Sequence, residues 1–243
     1  MLSIAADVGY SETAFIAPSS GFDRTIRYYS PEAEVSFCGH ATIATGIVLG
    51  TVSGTGTYHL ATRVGIVPVN VSEENGHYHA ALTSVEPRHE RAPSKLVDDA
   101  LASLSWKRAE LDPSIPPVRA YAGAWHLILA VADRSRLERL DYDFDALKKL
   151  MLHDGLTTLQ LIWRENTSII HSRNPFPVGG VVEDPATGAA AAALGGYLRN
   201  ALLVTVPTTI LIRQGETMGR PSLLTLDIPA AGGIIVSGTG IPL

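Results

Sequence analysis

Two stretches decide the architecture: residues 31–50, PEAEVSFCGHATIATGIVLG, and residues 181–200, VVEDPATGAAAAALGGYLRN. Each runs from a glutamate through a Gly turn into a helix-length segment rich in Ala, Thr and Leu. Gly39 and Gly188, Gly46 and Gly195, and Glu34 and Glu183 are all separated by the same 149 positions. Upstream the likeness continues more loosely, RTIRYYSP (24–31) against IIHSRNPFP (169–177), with an offset about three residues shorter, the kind of slip a loop absorbs. This pattern reads as an internal duplication of strand, Pro-containing loop, Glu, Gly turn and small-residue helix. Both helices are short of charge on every face, so each is expected to run through the middle of its own sheet or barrel.

The remaining sequence is predominantly strand-like. TAFIAP, TRVGIVPVNV, AWHLILAV and TLQLIW alternate or form short buried apolar runs, and 22 Gly and 15 Pro break the chain often. DPSIPPV (112–118) holds three prolines in seven residues and reads as the joint between the halves, giving expected domains 1–113 and 114–243. LERLDYDFDALKKL (137–150) reads as an exposed amphipathic helix, acidic early and basic late. Trp106, Trp125 and Trp163 are scattered and read as packing residues.

Composition excludes several functions. With 46% hydrophobic and 18% charged residues, the 243-residue chain has the balance of a globular protein. No window approaches the roughly 18 uninterrupted apolar residues of a membrane span, and the opening MLSIAADVGYSE has no basic segment. A cytoplasmic location is the expectation. A formal net charge of −5 without a basic run argues against nucleic acid as a partner. The single cysteine, Cys38, excludes an internal disulfide framework and a Cys-rich zinc site. His77 and His79 would share a strand face, but no third ligand is evident and no metal is expected. The glycines of GTVSGTG and AAGGIIVSGTG make no dinucleotide fingerprint, and no phosphate loop occurs, so no cofactor is expected.

Chemistry is expected where the two Gly turns meet. A helix start carries unpaired N–H groups and partial positive charge, so two such starts facing one cleft would clamp a carboxylate. A side chain at Gly39 or Gly188 is expected to hold that ligand off the backbone. His40 beside Gly39, Asp184 four residues before Gly188, and Glu12 in YSETAF supply ionisable groups. A Glu buried in a β-rich segment acquires a raised pKa suited to proton transfer, which makes Glu12 the first catalytic candidate. The position duplicating Cys38 is Thr187, so a racemase with two thiols is unavailable. A Cys38 nucleophile using His40 as base is disfavoured because residues two apart on a helix do not face each other, and Cys38→Ala is expected to be tolerated.

SETAF, PEAEVSFCGHATIATG, VEDPATGAAAAALGGYL and RQGETMGRPSLL, in that order, resemble the phenazine-biosynthesis PhzF-like family, which shares the diaminopimelate epimerase fold. The resemblance implies an α+β fold of two pseudo-symmetric halves, each a barrel-like sheet around a central helix, with the active site in the cleft and often a homodimer. It places the catalytic acid/base on Glu12, assisted by His40 and Asp184, and substrate contacts at Gly39, Ala41, Thr187, Gly188 and Ala189. It implies a cofactor-independent isomerase or epimerase that moves a proton on a small carboxylated metabolite. The competing reading is a non-catalytic metabolite-binding paralogue; a Cys38 hydrolase ranks third. Two departures stand out. Family members carry a small hydroxyl residue where this chain has Ala189, and they have a strand and a Gly-Asn-Pro loop ahead of the SET motif, so the first half is expected to be short of a strand.

Overall fold

A computed structural model describes residues 1–19 and 21–240. The described strands form one continuous sheet. Its first part comprises β1 (Thr13–Ile16), β2 (Asp23–Tyr29), β4 (Gly56–Thr62), β5 (Gly65–Glu74) and β6 (His77–Thr83), in that spatial order. Its second part comprises β7 (Arg88–Arg91), β8 (Val118–Tyr121), β9 (Trp125–Ala130), β10 (Thr158–Arg164), β11 (Ile169–Pro175), β13 (Thr208–Gln214) and β14 (Ser222–Ile228), with β7 at the free edge. The last strand, β15 (Ile235–Thr239), lies antiparallel between β14 and β6 and joins the parts, Ile235 opposite Thr83. Two short strands, β3 (Glu34–Val35) on β2 and β12 (Glu183–Asp184) on β11, hang off the path.

Helix α1 (Leu2–Val8) precedes β1; helix α2 (Gly39–Ser53) touches β1 as well as β5, β6 and β15, and helix α6 (Gly188–Asn200) touches β7, β8 and β9 as well as β14 and β15. Strands far apart in the sheet order thus meet on one helix, which requires the sheet to curl round each of them. The two curled halves are the pseudo-symmetric α+β architecture the duplicated stretches imply. The shared glycines explain how the helices seat. A Cβ on Gly46 would lie 2.8 Å from Val69 Cγ1 on β5, and one on Gly195 would lie 3.1 Å from Leu226 Cδ2 on β14. Each is a close approach of helix to sheet at the matching strand.

The wrapping is unequal. Residues 188–199 of α6 are all buried, whereas α2 leaves Ala44, Val48, Thr51 and Val52 in solvent. The apolar run AWHLILAV is continuous because β9 is covered on both faces: Ile128 and Ala130 pack towards α6, while Leu127 and Leu129 join a second core with Leu96, Leu101, Leu147 and Met151 of α3 (Ser94–Ser103) and α5 (Phe144–Asp154). Trp106 lies in that core and Trp125 and Trp163 pack against it.

Two expectations need adjustment. Residues 137–150 are not one helix: α4 (Arg134–Glu138) takes in only the first two of them and α5 starts at Phe144, capped by Asp143, whose carboxylate accepts the Ala146 N–H at 3.0 Å. The Asx cap competes with helix continuation and resets the chain. Secondly, β7 and α3 precede residue 113, yet by pairing and packing they sit with the second half, so the crossover in the sheet falls between Thr83 and Arg88. DPSIPPV is a loop leading into β8, with Ile115 buried beneath it. No helix among the described residues is long and apolar enough to cross a membrane.

Candidate active site

The duplicated segments converge. Each presents a two-residue strand, a turn and a helix start, and the two helix starts meet back to back: a Cβ built on Gly39 would stand 2.6 Å from Gly188 Cα and 2.8 Å from the Ala189 nitrogen. The reciprocal Cβ on Gly188 would stand 3.0 Å from Gly39 Cα. This corrects the reason expected for these glycines. A side chain there collides with the opposite backbone before any ligand is considered. Neither α2 nor α6 has a side-chain cap; the Gly188 N–H donates to the Ala186 carbonyl at 3.2 Å, and the other first-turn N–H groups of the two helices are left for another acceptor. Ala41 and Ala189 lie in these first turns, 6% and 3% exposed.

The duplication also sets the flanks. Arg27 of β2 pairs with Glu34, and Arg173 of β11 pairs with Glu183, 3.0 Å from Nε to Oε1. Arg27 and Arg173 differ by 146 positions, which accounts for the three-residue slip seen upstream. The copies differ in burial. The Arg27–Glu34 side chains are 40% and 20% exposed, those of Arg173–Glu183 13% and 4%. Glu183 therefore locks β12 in place, and Asp184 follows it directly.

Glu12, His40 and Asp184 come together from β1's approach, α2 and β12. His40 Nε2 lies 3.4 Å from Glu12 Oε2, and its Nδ1 lies 3.7 Å from Asp184 Oδ1. Nδ1 also lies 2.8 Å from the Ala186 carbonyl, which can only accept, so Nδ1 carries a hydrogen and Nε2 faces Glu12 and Ser11 Oγ, the latter at 3.4 Å. The side chains of Glu12 and Asp184 are only 6% and 2% exposed, yet Glu12 Oε2 and Asp184 Oδ1 have no hydrogen-bond partner. Two buried carboxylate oxygens without donors are costly, and a donor-rich ligand would satisfy them.

Burial and then the Asp184 charge push the Glu12 carboxyl up to about 7, against the opposing pull of His40 and of hydrogen bonds from Ser11 and Cys38. Burial alone would lower the His40 pKa, but Cys38, Asp184 and Glu12 around it outweigh that and hold it well above the usual histidine value. The Cys38 thiol is pushed up to about 12, chiefly by burial.

Three features escaped the sequence reading. Cys38 does face His40, with Sγ 3.6 Å from Nδ1 and 3.7 Å from Nε2. The helical-spacing argument fails because Cys38 is the N-cap, in extended conformation (φ −137°, ψ 115°). Thr187, expected at the substrate, donates its hydroxyl to Asp184 Oδ2 at 2.7 Å, a bond the sequence does not signal. Gln214, buried at the end of β13, organises the turn: its Nε2 donates to the Asp184 carbonyl (2.7 Å) and to Thr187 Oγ1 (2.9 Å), while its Oε1 accepts the Thr187 N–H (3.2 Å). Gln214 lay inside the RQGE run, but nothing local signals a partner 27 residues upstream. Although no metal was expected, Glu12, Cys38 and His40 place one potential ligand atom each within 4.8 Å of one another.

Known proteins match along nearly the whole of this chain. The chain is 28% identical over 253 residues to an uncharacterised isomerase of Bacillus subtilis (strain 168), covering 99% of this chain and 85% of that protein. It is 29% identical over 252 residues to the trans-2,3-dihydro-3-hydroxyanthranilate isomerase of Pseudomonas aeruginosa, covering 99% and 84%. Its fold superposes on the Bacillus anthracis phenazine biosynthesis protein of the PhzF family with a TM-score of 0.80 at 24% identity, covering 98% and 85%. The phenazine biosynthesis-like protein family matches residues 1–241, and with this spread of isomerase relatives the chain belongs to that family.

Proposed function

We propose that this chain is a cofactor-independent isomerase that relocates a proton on a small carboxylated metabolite. The observation that supports it most is the junction itself: two uncapped helix starts in contact, with Glu12, His40 and Asp184 gathered beside them and two buried carboxylate oxygens unpaired. In this reading the first-turn amides of α2 and α6 receive the substrate carboxylate and stabilise charge that spreads into it as a carbon acid ionises. Glu12, poised near neutrality, takes the proton from one carbon and returns it to another. His40, fixed by the Ala186 carbonyl, presents Nε2 to Glu12 and balances its charge as the proton moves. Asp184 holds the second helix start through Thr187.

The Pseudomonas aeruginosa relative acts on a dihydro-hydroxyanthranilate, a carboxylated ring, and substrates of that general shape suit the clamp. Ala189 offers no hydroxyl where the family resemblance has one, so the substrate here is a carboxylate that needs no donor at that point. The test is deuterium incorporation from solvent into a panel of carboxylated rings and unsaturated acids. Wild type should exchange at least one C–H position, and Glu12→Gln should slow exchange by about 10²–10⁴-fold. Binding of these acids without exchange by the wild type would instead support a non-catalytic binding protein.

A further inference from the structure

The loop 215–220, between β13 and β14, carries a cation to the lip of the site. Gly215 stands in the left-handed region (φ 74°) with its backbone pressed against the Pro185 and Arg220 carbonyls, so that a Cβ there would collide with both. The Arg220 N–H donates back to the Gly215 carbonyl at 3.1 Å and closes the loop. Gln214, next in the chain, donates to the Asp184 carbonyl at 2.7 Å. The backbone of Arg220 is thereby tied to the turn that carries Asp184. Its guanidinium reaches the other half of the molecule: Cζ lies 5.6 Å from the centre of the Tyr10 ring, two residues before Glu12. Arg220 therefore bridges the segments that bring Glu12 and Asp184 to His40.

The neighbouring arginines are spent on carboxylates. Arg27 and Arg63 pair with Glu34, and Arg173 pairs with Glu183. Arg220 is exposed, and among the described residues its guanidinium has neither an ion pair nor a hydrogen bond, only the Tyr10 ring. A guanidinium stacked on an aromatic face is held in its plane while the N–H groups along its edges stay free, and those edges match a carboxylate with two parallel hydrogen bonds. The stack thus orients a fork and leaves it unfilled beside a pocket already suited to one carboxylate.

We infer that Arg220 is the specificity residue for a second anionic group, so that the substrate of this chain is a dicarboxylate: one carboxylate lies at the starts of α2 and α6, the other on the Arg220 fork. The assignment rests on the carboxylate clamp of the isomerase reading and narrows its substrate class. Arg220 makes and breaks no covalent bond. It holds the far end of the substrate and, being anchored to both halves, sets the distance between the two acidic groups that the cleft accepts.

Titration calorimetry of the full chain separates the two contacts without any turnover. Benzoate probes the clamp alone, while phthalate, isophthalate and terephthalate add a second carboxylate at three spacings. At least one diacid should bind wild type about 10-fold more tightly than benzoate, in keeping with one bidentate charged contact. That preference should shrink as salt is raised, because the fork is open to solvent. Arg220→Met should bring the favoured diacid down to the affinity of benzoate. Arg220→Lys, which keeps the charge and loses the fork, should retain part of the preference. Arg91→Met, at an exposed position on the free edge strand β7, should leave the preference intact. Benzoate binding with no diacid preferred, or a preference that survives Arg220→Met, would overturn the role of Arg220 while leaving the clamp in place. Failure of all these acids to bind would overturn the clamp and the assignment of Arg220 together.

Discussion

At Gly39 the constraint is backbone against backbone. A methyl group there must displace Gly188 Cα at 2.6 Å and the Ala189 nitrogen at 2.8 Å, neither of which is the movable tip of a side chain. Gly39→Ala should therefore cost about 1–3 kcal/mol in urea unfolding and, by parting the helix starts, weaken carboxylate binding together with stability. A variant destabilised but unimpaired in binding would show that the two starts do not act jointly. The sequence marks Gly39 and Gly188 by their common spacing, and Glu12, His40 and Asp184 by residue type beside the repeat. It cannot supply the role of Cys38, because one extended residue ahead of a helix escapes the helical spacing rule, nor that of Gln214, whose three hydrogen bonds close only after β13 is laid beside the turn.

Among the elements, the repeated strand pair β3 and β12 offers a controlled comparison. The same Arg–Glu pairing holds each one, but the second pair is almost wholly buried and the first is in reach of water. Removing one partner of a buried pair leaves an uncompensated charge, at a cost of about 3–5 kcal/mol, whereas exposed pairs contribute little. Arg173→Met should lower the urea midpoint strongly and loosen Asp184 with it; Arg27→Met should leave the midpoint nearly unchanged. Equal effects would contradict the burial argument. The pairing was foreshadowed by the slipped upstream alignment, but its unequal burial depends on what covers each half, which no local pattern records. The same holds for α2 and α6: equally apolar in sequence, they differ in exposure because β7, β8 and β9 cover α6 alone among the two.

Over the whole molecule, the interior of the second half sets an acid limit on stability. His126 is fully buried, its Nδ1 2.8 Å from Thr158 Oγ1 and its Nε2 without a partner, and burial pushes its pKa down to about 3. The unfolded chain, with an ordinary histidine near 6.5, binds that proton more readily, so stability falls as pH drops below about 6.5 towards 3. Between pH 7 and pH 5 this residue should account for about 2 kcal/mol of lost stability, and His126→Gln should flatten the wild-type dependence by that amount. An unchanged slope would mean that His126 is hydrated or charged in the folded state. The division of the chain also belongs to this scale. Prolines around 113 mark a loop correctly, yet strand pairing sends β7 and α3 to the second half, because a sheet joined through its last strand places chain segments by partner and not by order. The claim on which the account turns is that both helix starts hold one anion beside Glu12. Amide NMR of the ¹⁵N-labelled protein during a benzoate titration tests it directly. The first-turn amides of α2 (Gly39, His40, Ala41) and of α6 (Gly188, Ala189, Ala190) should shift along one saturation curve with one dissociation constant. Shifts confined to a single helix start, or two unrelated curves, would contradict it.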